Sequence, residues 1–211
     1  MIIKVCGMRD AENILQVERL HPDWMGFIFW PKSSRCVSEF PEYMPVNAKR
    51  VGVFVDEDVE TVRRIAEDYA LDIIQLHGRE SAEYAGQLQE WETIKAFNIA
   101  TPDDLEQTKG YEDVVDYFLF DTRKPPEETG GWHPPGGTGE KFDWSVLTHY
   151  HGSTPFLLSG GIGPNDAERI RSFNHPKCIG IDLNSRFELS PALKDVEKLE
   201  IFISNLRIQK V

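Results

Sequence analysis

At 211 residues, 40% of them hydrophobic, the chain is long enough to bury one sizeable core and short for two. Its 23 basic and 35 acidic residues leave a net charge of -12, which opposes the broad electrostatic attraction that sequence-independent nucleic-acid binding relies on. No apolar run approaches the roughly 20 residues that span a bilayer; Pro31, Lys32 and Arg35 end even the aromatic stretch GFIFWPK, so neither nucleic acid nor membrane is an expected partner.

The first element is IIKVCG, and short apolar runs follow in WMGFIFW, RVGVFV, DIIQLHG, TIKAFNI, YFLFDT, PFLLSG and CIGIDLNS. Most are too continuous for half-solvated antiparallel strands and read as eight buried parallel strands. Starts at 2, 24, 49, 73, 92, 117, 155 and 178 give steps of 22, 25, 24, 19, 25, 38 and 23 residues. Helical patterns lie between several of them: Val59, Val62, Ile65, Ala66 and Tyr69 share one face, as do Val196, Leu199, Phe202, Ile203 and Leu206. Asp10, Ser81 and the pair Thr101-Pro102 are natural helix starts. Eight such units fit a single-domain (β/α)8 TIM barrel over residues 1–211, whereas a doubly wound open sheet has fewer strands and more often a Gly-rich phosphate turn after the first. The long step holds RKPPEETGGWHPPGGTGEK, residues 123–141, whose prolines and glycines argue for an insertion after strand six, either a lid or a passive loop.

In such a barrel the active site lies at the C-terminal ends of the strands. Those ends carry Cys6, Gln75 and His77, Asp121, Ser159-Gly160-Gly161, and Asp182 with Asn184 and Ser185, while Arg35 follows strand two. Cys6 alone could be a small buried hydrophobe, and His77 could simply bond a neighbouring backbone; sharing one rim makes chemistry a live alternative for both. Asp121, delivered by an apolar strand, suits acid/base work. The glycine clusters PPGGTGEKFDW and LSGGIGPND allow backbone N–H groups to approach a phosphate without interference from a Cβ. No His, Cys or Asp cluster has metal spacing; His133, His149 and His151 read as loop or helix-end residues. Cys6, Cys36 and Cys178 are odd in number and far apart, and with no signal peptide at the start the expected setting is reducing and cytoplasmic.

In order, IKVCGMRD, GFIFWPKSSRCVS, RVGVFV, IIQLHG, LFDT, GGTGEKFDW, LSGGIGP and GIDLNSRFE resemble the phosphoribosylanthranilate isomerases of tryptophan biosynthesis, over nearly the whole chain. The resemblance implies an Amadori rearrangement of a small phosphosugar by general acid-base catalysis, with no cofactor and no metal, in a monomer or homodimer. Asp121 would be the acid that protonates the furanose oxygen, and Cys6 the base that removes the C2 proton. Base work would require a lowered thiol pKa, and acid work a protonated carboxyl, which burial favours. Arg35 would pair with the anthranilate carboxylate, and Gln75 and His77 would also bind substrate. The phosphate would rest on Gly137, Thr138, Gly139, Gly160, Gly161, Asn184 and Ser185. Two features depart from the pattern: Asn184-Ser185-Arg186 stands where many members have serine, serine and glycine, and the loop from Arg123 is long. Other phosphosugar barrels and a non-enzymatic thiol sensor are the alternatives.

Overall fold

Runs that are apolar on both faces are stable only between two layers of protein, and the chain places its eight runs there. In the computed structural model, which describes residues 1–122 and 144–208, they form β1 (Ile2–Cys6), β2 (Trp24–Ile28), β3 (Lys49–Phe54), β4 (Ile73–Leu76), β5 (Glu92–Ile99), β6 (Tyr117–Thr122), β7 (Phe156–Leu158) and β8 (Cys178–Leu183). The strands pair in chain order, all parallel, and β8 returns to β1 with Lys4 opposite Asp182, closing the barrel. Each begins where the apolar run does, except that β7 starts one residue later than its proline suggested. The insertion at 123–141 lies outside the described residues, and with it Gly137, Thr138 and Gly139.

Side chains alternate across each strand, which separates two cores. Trp24, Val51, Ile73, Ile94, Leu119 and Leu157 pack as a layer inside the barrel. Ile3, Val5, Met25, Phe27, Phe118, Phe120, Phe156 and Ile181 point the other way, into the larger core beneath the helices. Fully burying one such phenylalanine contributes roughly 1.5–3 kcal/mol, so this outer layer holds most of the fold's hydrophobic stabilisation. Nearer the C-terminal ends the inward positions turn polar while staying buried: Lys4 and Cys6 on β1, Gln75 on β4, Asp121 on β6, Ser159 beyond β7 and Asp182 on β8. That change of composition along a single parity marks where packing gives way to a site.

The helices are α1 (Ala11–Glu18), α2 (Val59–Asp68), α3 (Ala82–Ala85), α4 (Ala167–Ser172) and α5 (Val196–Arg207). Asp10 caps α1 by accepting the Asn13 N–H at 2.8 Å, and Ser81 caps α3 by accepting that of Tyr84 at 3.1 Å. The buried faces are those read from the sequence, Val62 and Ala66 on α2 and Leu199, Phe202, Ile203 and Leu206 on α5. The alternation is less regular than the spacing implies. No helix joins β2 to β3, and Thr101-Pro102 opens a 3-10 helix over Pro102–Gly110, fixed by Asp104 accepting the Ala100 and Thr101 N–H groups. After β8 come a 3-10 turn at Ser185–Phe187 and an antiparallel hairpin, β9 (Glu188–Ser190) and β10 (Leu193–Lys194), which the sequence reading did not anticipate. Among the described residues no helix is long and apolar enough to cross a membrane.

Candidate active site

β1 delivers Cys6 at its last position, 3% exposed and opposite Gly26 of β2. The missing side chain at Gly26 makes room for the sulfur, since a Cβ there would sit 2.7 Å from Cys6 Sγ. Gly7 then turns the chain with φ +78, and a Cβ on it would lie 2.8 Å from Asn184 Oδ1 and 2.9 Å from Arg35 Cδ. The Cys-Gly pair therefore has a steric cause: only glycine takes this backbone angle without strain while polar groups pass so close.

Beneath the thiol, Lys4 Nζ donates to Asp182 Oδ1 at 2.7 Å, and Ser159 Oγ donates to the other carboxylate oxygen at 3.3 Å. Burial works against the Lys4 charge, yet Asp182 and Cys6 together keep its pKa above the ordinary lysine value. Burial pushes the Cys6 thiol up; Lys4 and Lys194 pull it down without offsetting that rise, and Asp182 adds to it. The positive potential expected for a base is thus present, but desolvation outweighs it.

On one wall, Arg35 clasps Glu188, with Nε 2.9 Å from Oε1 and Nη2 2.7 Å from Oε2. Lys194 Nζ donates to Glu188 Oε1 at 2.7 Å and to Asn184 Oδ1 at 2.8 Å. Burial raises the Glu188 pKa, but Arg35 and Lys194 more than reverse this and hold it below the usual carboxylate range. Lys194 itself is lowered, because its burial outweighs the attraction of Glu188. The Arg35 fork is therefore half engaged: its Nε–Nη2 edge is committed to the protein, and Nη1 makes no hydrogen bond among the described residues.

Across the pocket, β6 presents Asp121, 6% exposed, with His77 Nε2 at 3.6 Å from its Oδ2. Gln75 Nε2 lies 2.8 Å from His77 Nδ1; with the amide so oriented, Nδ1 accepts and the Nε2 proton faces Asp121. Gln75 Oε1 and His77 Nε2 are buried without a hydrogen-bond partner among the described residues, an arrangement that ordinary cores avoid. Gly160 and Gly161 follow β7 with φ 81 and 66, two consecutive left-handed residues that bring bare backbone to the pocket wall.

Cys6, Arg35, Gln75, His77, Asp121, Gly160, Gly161, Asn184 and Ser185 all line this one pocket, so every described residue singled out from the sequence is there. The sequence reading passed over Lys4, Glu188 and Lys194, and named Asp182 without giving it a role. Lys4 had a visible signal, a charge inside an apolar strand two residues before the thiol; Glu188 and Lys194 had none, because only the unforeseen hairpin places them. Among the described residues no group of three or more His, Cys, Asp and Glu side chains could hold a metal ion.

Residues 3–205 match the family model described as N-(5'phosphoribosyl)anthranilate (PRA) isomerase. The chain is 50% identical over 214 residues to an N-(5'-phosphoribosyl)anthranilate isomerase of Parabacteroides distasonis, covering 98% of this chain and 93% of that one. It superposes on the phosphoribosyl anthranilate isomerase structure from Thermus thermophilus with a TM-score of 0.81 at 29% identity, covering 98% of both chains. A phosphoribosyl anthranilate isomerase solved with reduced 1-(o-carboxyphenylamino)-1-deoxyribulose 5-phosphate is similar at a TM-score of 0.78 and 27% identity, covering 98% of this chain and 99% of that one.

Proposed function

Because the chain belongs to the N-(5'-phosphoribosyl)anthranilate isomerase family, we propose that Cys6 and Asp121 divide the base and acid work of the reaction. That reaction is the Amadori rearrangement of N-(5'-phosphoribosyl)anthranilate to 1-(2-carboxyphenylamino)-1-deoxyribulose 5-phosphate in tryptophan biosynthesis. Asp121 gives its proton to the furanose oxygen as the C1–O bond breaks, and the anthranilate nitrogen supplies the electron pair of the resulting C1=N bond. The Cys6 thiolate then takes the C2 proton, and the C–H pair becomes the C1=C2 bond of an enolamine. Tautomerisation, in which the C2 hydroxyl loses its proton and C1 gains one, gives the ketone.

The observation that carries this reading is the placement of a buried thiol and a buried carboxyl on facing strands of one pocket, each with its own polar support. The His77 Nε2–H and Gln75 Oε1, without a hydrogen-bond partner among the described residues, are suited to the sugar's oxygens and hydroxyls. The Nη1 corner of Arg35, without a hydrogen bond among the described residues, is suited to the anthranilate carboxylate, with Glu188 holding the guanidinium plane in place. Gly160, Gly161 and Ser185 belong to the loops after β7 and β8, where barrels of this architecture commonly hold phosphate. Asn184 has a second duty, since its carbonyl oxygen is bonded to Lys194. The three unbridged thiols support the cytoplasm as the compartment.

The test is turnover of freshly prepared substrate, followed through anthranilate fluorescence, with the unaltered protein and with Cys6→Ser. The serine variant should stay folded and lose nearly all turnover, since a hydroxyl is a far weaker source of base at neutral pH. Turnover close to that of the unaltered protein would remove Cys6 from the mechanism.

A further inference from the structure

Lys4 takes no part in the chemistry above, yet it is fully buried and charged, a combination that carries a large desolvation penalty. Its pairing with Asp182 could serve only to tie β1 to β8. Two geometric facts point further. Lys4 stands two residues before Cys6 on β1, so both side chains face inward, one pleat apart. Moreover, Lys4 Nζ is anchored 2.7 Å from Asp182 Oδ1, which fixes the ammonium beneath the thiol, and its charge favours an anionic sulfur more than that of Lys194 does.

The charged groups around the thiol come from every neighbouring element. β8 contributes Asp182, steadied by Ser159; β10 contributes Lys194; the segment after β2 contributes Arg35; and β9 contributes Glu188, bonded to both of those cations. His77 and Asp121 stand on the opposite wall. Glu188 locally cancels much of the charge of Arg35 and Lys194, while Lys4, one pleat from the sulfur, has its own partner in Asp182.

We propose that Lys4 is a positioning residue for the rearrangement: held as an ammonium by Asp182, it is the counter-charge that allows the buried Cys6 sulfur to exist as a thiolate. This rests on the reading of Cys6 as the base. When the thiolate takes the C2 proton, the sulfur becomes neutral and Lys4 with Asp182 remains a self-contained neutral pair. Lys4 itself neither gains nor loses a proton.

The test is the double variant Lys4→Met/Asp182→Asn, which removes the cation without stranding a buried carboxylate. The Cys6 titration is followed by the ultraviolet absorbance of the thiolate, with the signal of a matching Cys6→Ser protein subtracted, and is compared with the pH profile of kcat/KM. The midpoint and the acid limb should both move up by about one pH unit, a roughly tenfold loss at neutral pH that is regained at higher pH. A loss of activity with an unmoved thiolate midpoint would show that the pair is only a structural tie, and would overturn the proposal. Should the double variant fail to fold, nitrogen NMR of the Lys4 amine in the unaltered protein decides: an amine that stays protonated while Cys6 titrates supports the proposal, and one that loses its proton first overturns it. The thiolate titration does not depend on turnover, so an active Cys6→Ser protein would refute the base assignment separately.

Discussion

Replacing Glu188 with glutamine tests how the Arg35 wall of the pocket is held. Glu188 accepts from Arg35 Nε and Nη2, from Lys194 Nζ at 2.7 Å and from the Ala192 N–H at 3.3 Å, with its own side chain 5% exposed. Removing one side of a buried ion pair costs about 3–5 kcal/mol, because the partner charge is left without compensation. Glutamine keeps one acceptor oxygen and Arg35 retains some contact with solvent, so the lower end, about 3 kcal/mol, is expected. For a chain of this size that corresponds to a Tm lower by about 6–12 °C. The sign of the pH dependence follows from the depressed Glu188 pKa. Stability from such a carboxylate is present above its unfolded pKa of about 4.3 and is lost as pH falls through the lower folded value. Denaturant melts of both proteins should therefore show the full gap at neutral pH and a closing gap below about pH 4. A gap that stays constant into acid, or one under about 1 kcal/mol at neutral pH, would refute the view that Glu188 works as a buried anion between two cations.

Asp121→Asn should still bind a product analogue while turnover falls on the order of 100- to 10,000-fold, as for loss of a general acid; calorimetry of analogue binding beside kinetics checks both halves. Arg35→Lys should raise KM with little change in kcat, since a point charge cannot hold Glu188 and a ligand carboxylate in one plane; an unchanged KM would show that Arg35 serves only the protein. Gly26→Ala drives a Cβ to within 2.7 Å of Cys6 Sγ. It should cost about 1–3 kcal/mol of stability and, by turning the thiol aside, about 100-fold in kcat, so equal kinetics would mean the sulfur's present position is not the working one.

The barrel was legible because its signal is local. Parallel strands buried on both faces appear as continuous apolar runs, and their starts can be counted. Cys6 and Asp121 were legible for a related reason: each is the polar residue that ends such a run, and the architecture sends those ends to one rim. What stayed hidden depends on partners distant in sequence. Arg35 could be assigned to a ligand's carboxylate because Glu188, 153 residues away, gives no sign from the sequence that it occupies the same guanidinium. The β9–β10 hairpin is two strands of three and two residues around a Pro191-Ala192 turn, too short for periodicity to register. The stretch between β2 and β3 has the length of a helical unit but no helix, because spacing measures chain length and not conformation.

The Lys4–Asp182 contact joins the first strand to the last, across 178 positions. A chain growing from its N-terminus presents Cys6 almost at once, yet for most of synthesis that cysteine is an ordinary thiol among exposed apolar strands, with neither a wall around it nor its anchored ammonium below. The reactive environment comes into being in the closing act of assembly, when β8 docks beside β1. Incomplete or truncated chains consequently carry an exposed thiol without its catalytic setting, and the loss of that thiol's accessibility to reagents during refolding reports the moment of barrel closure, a slow, long-range event by the loop entropy it must overcome.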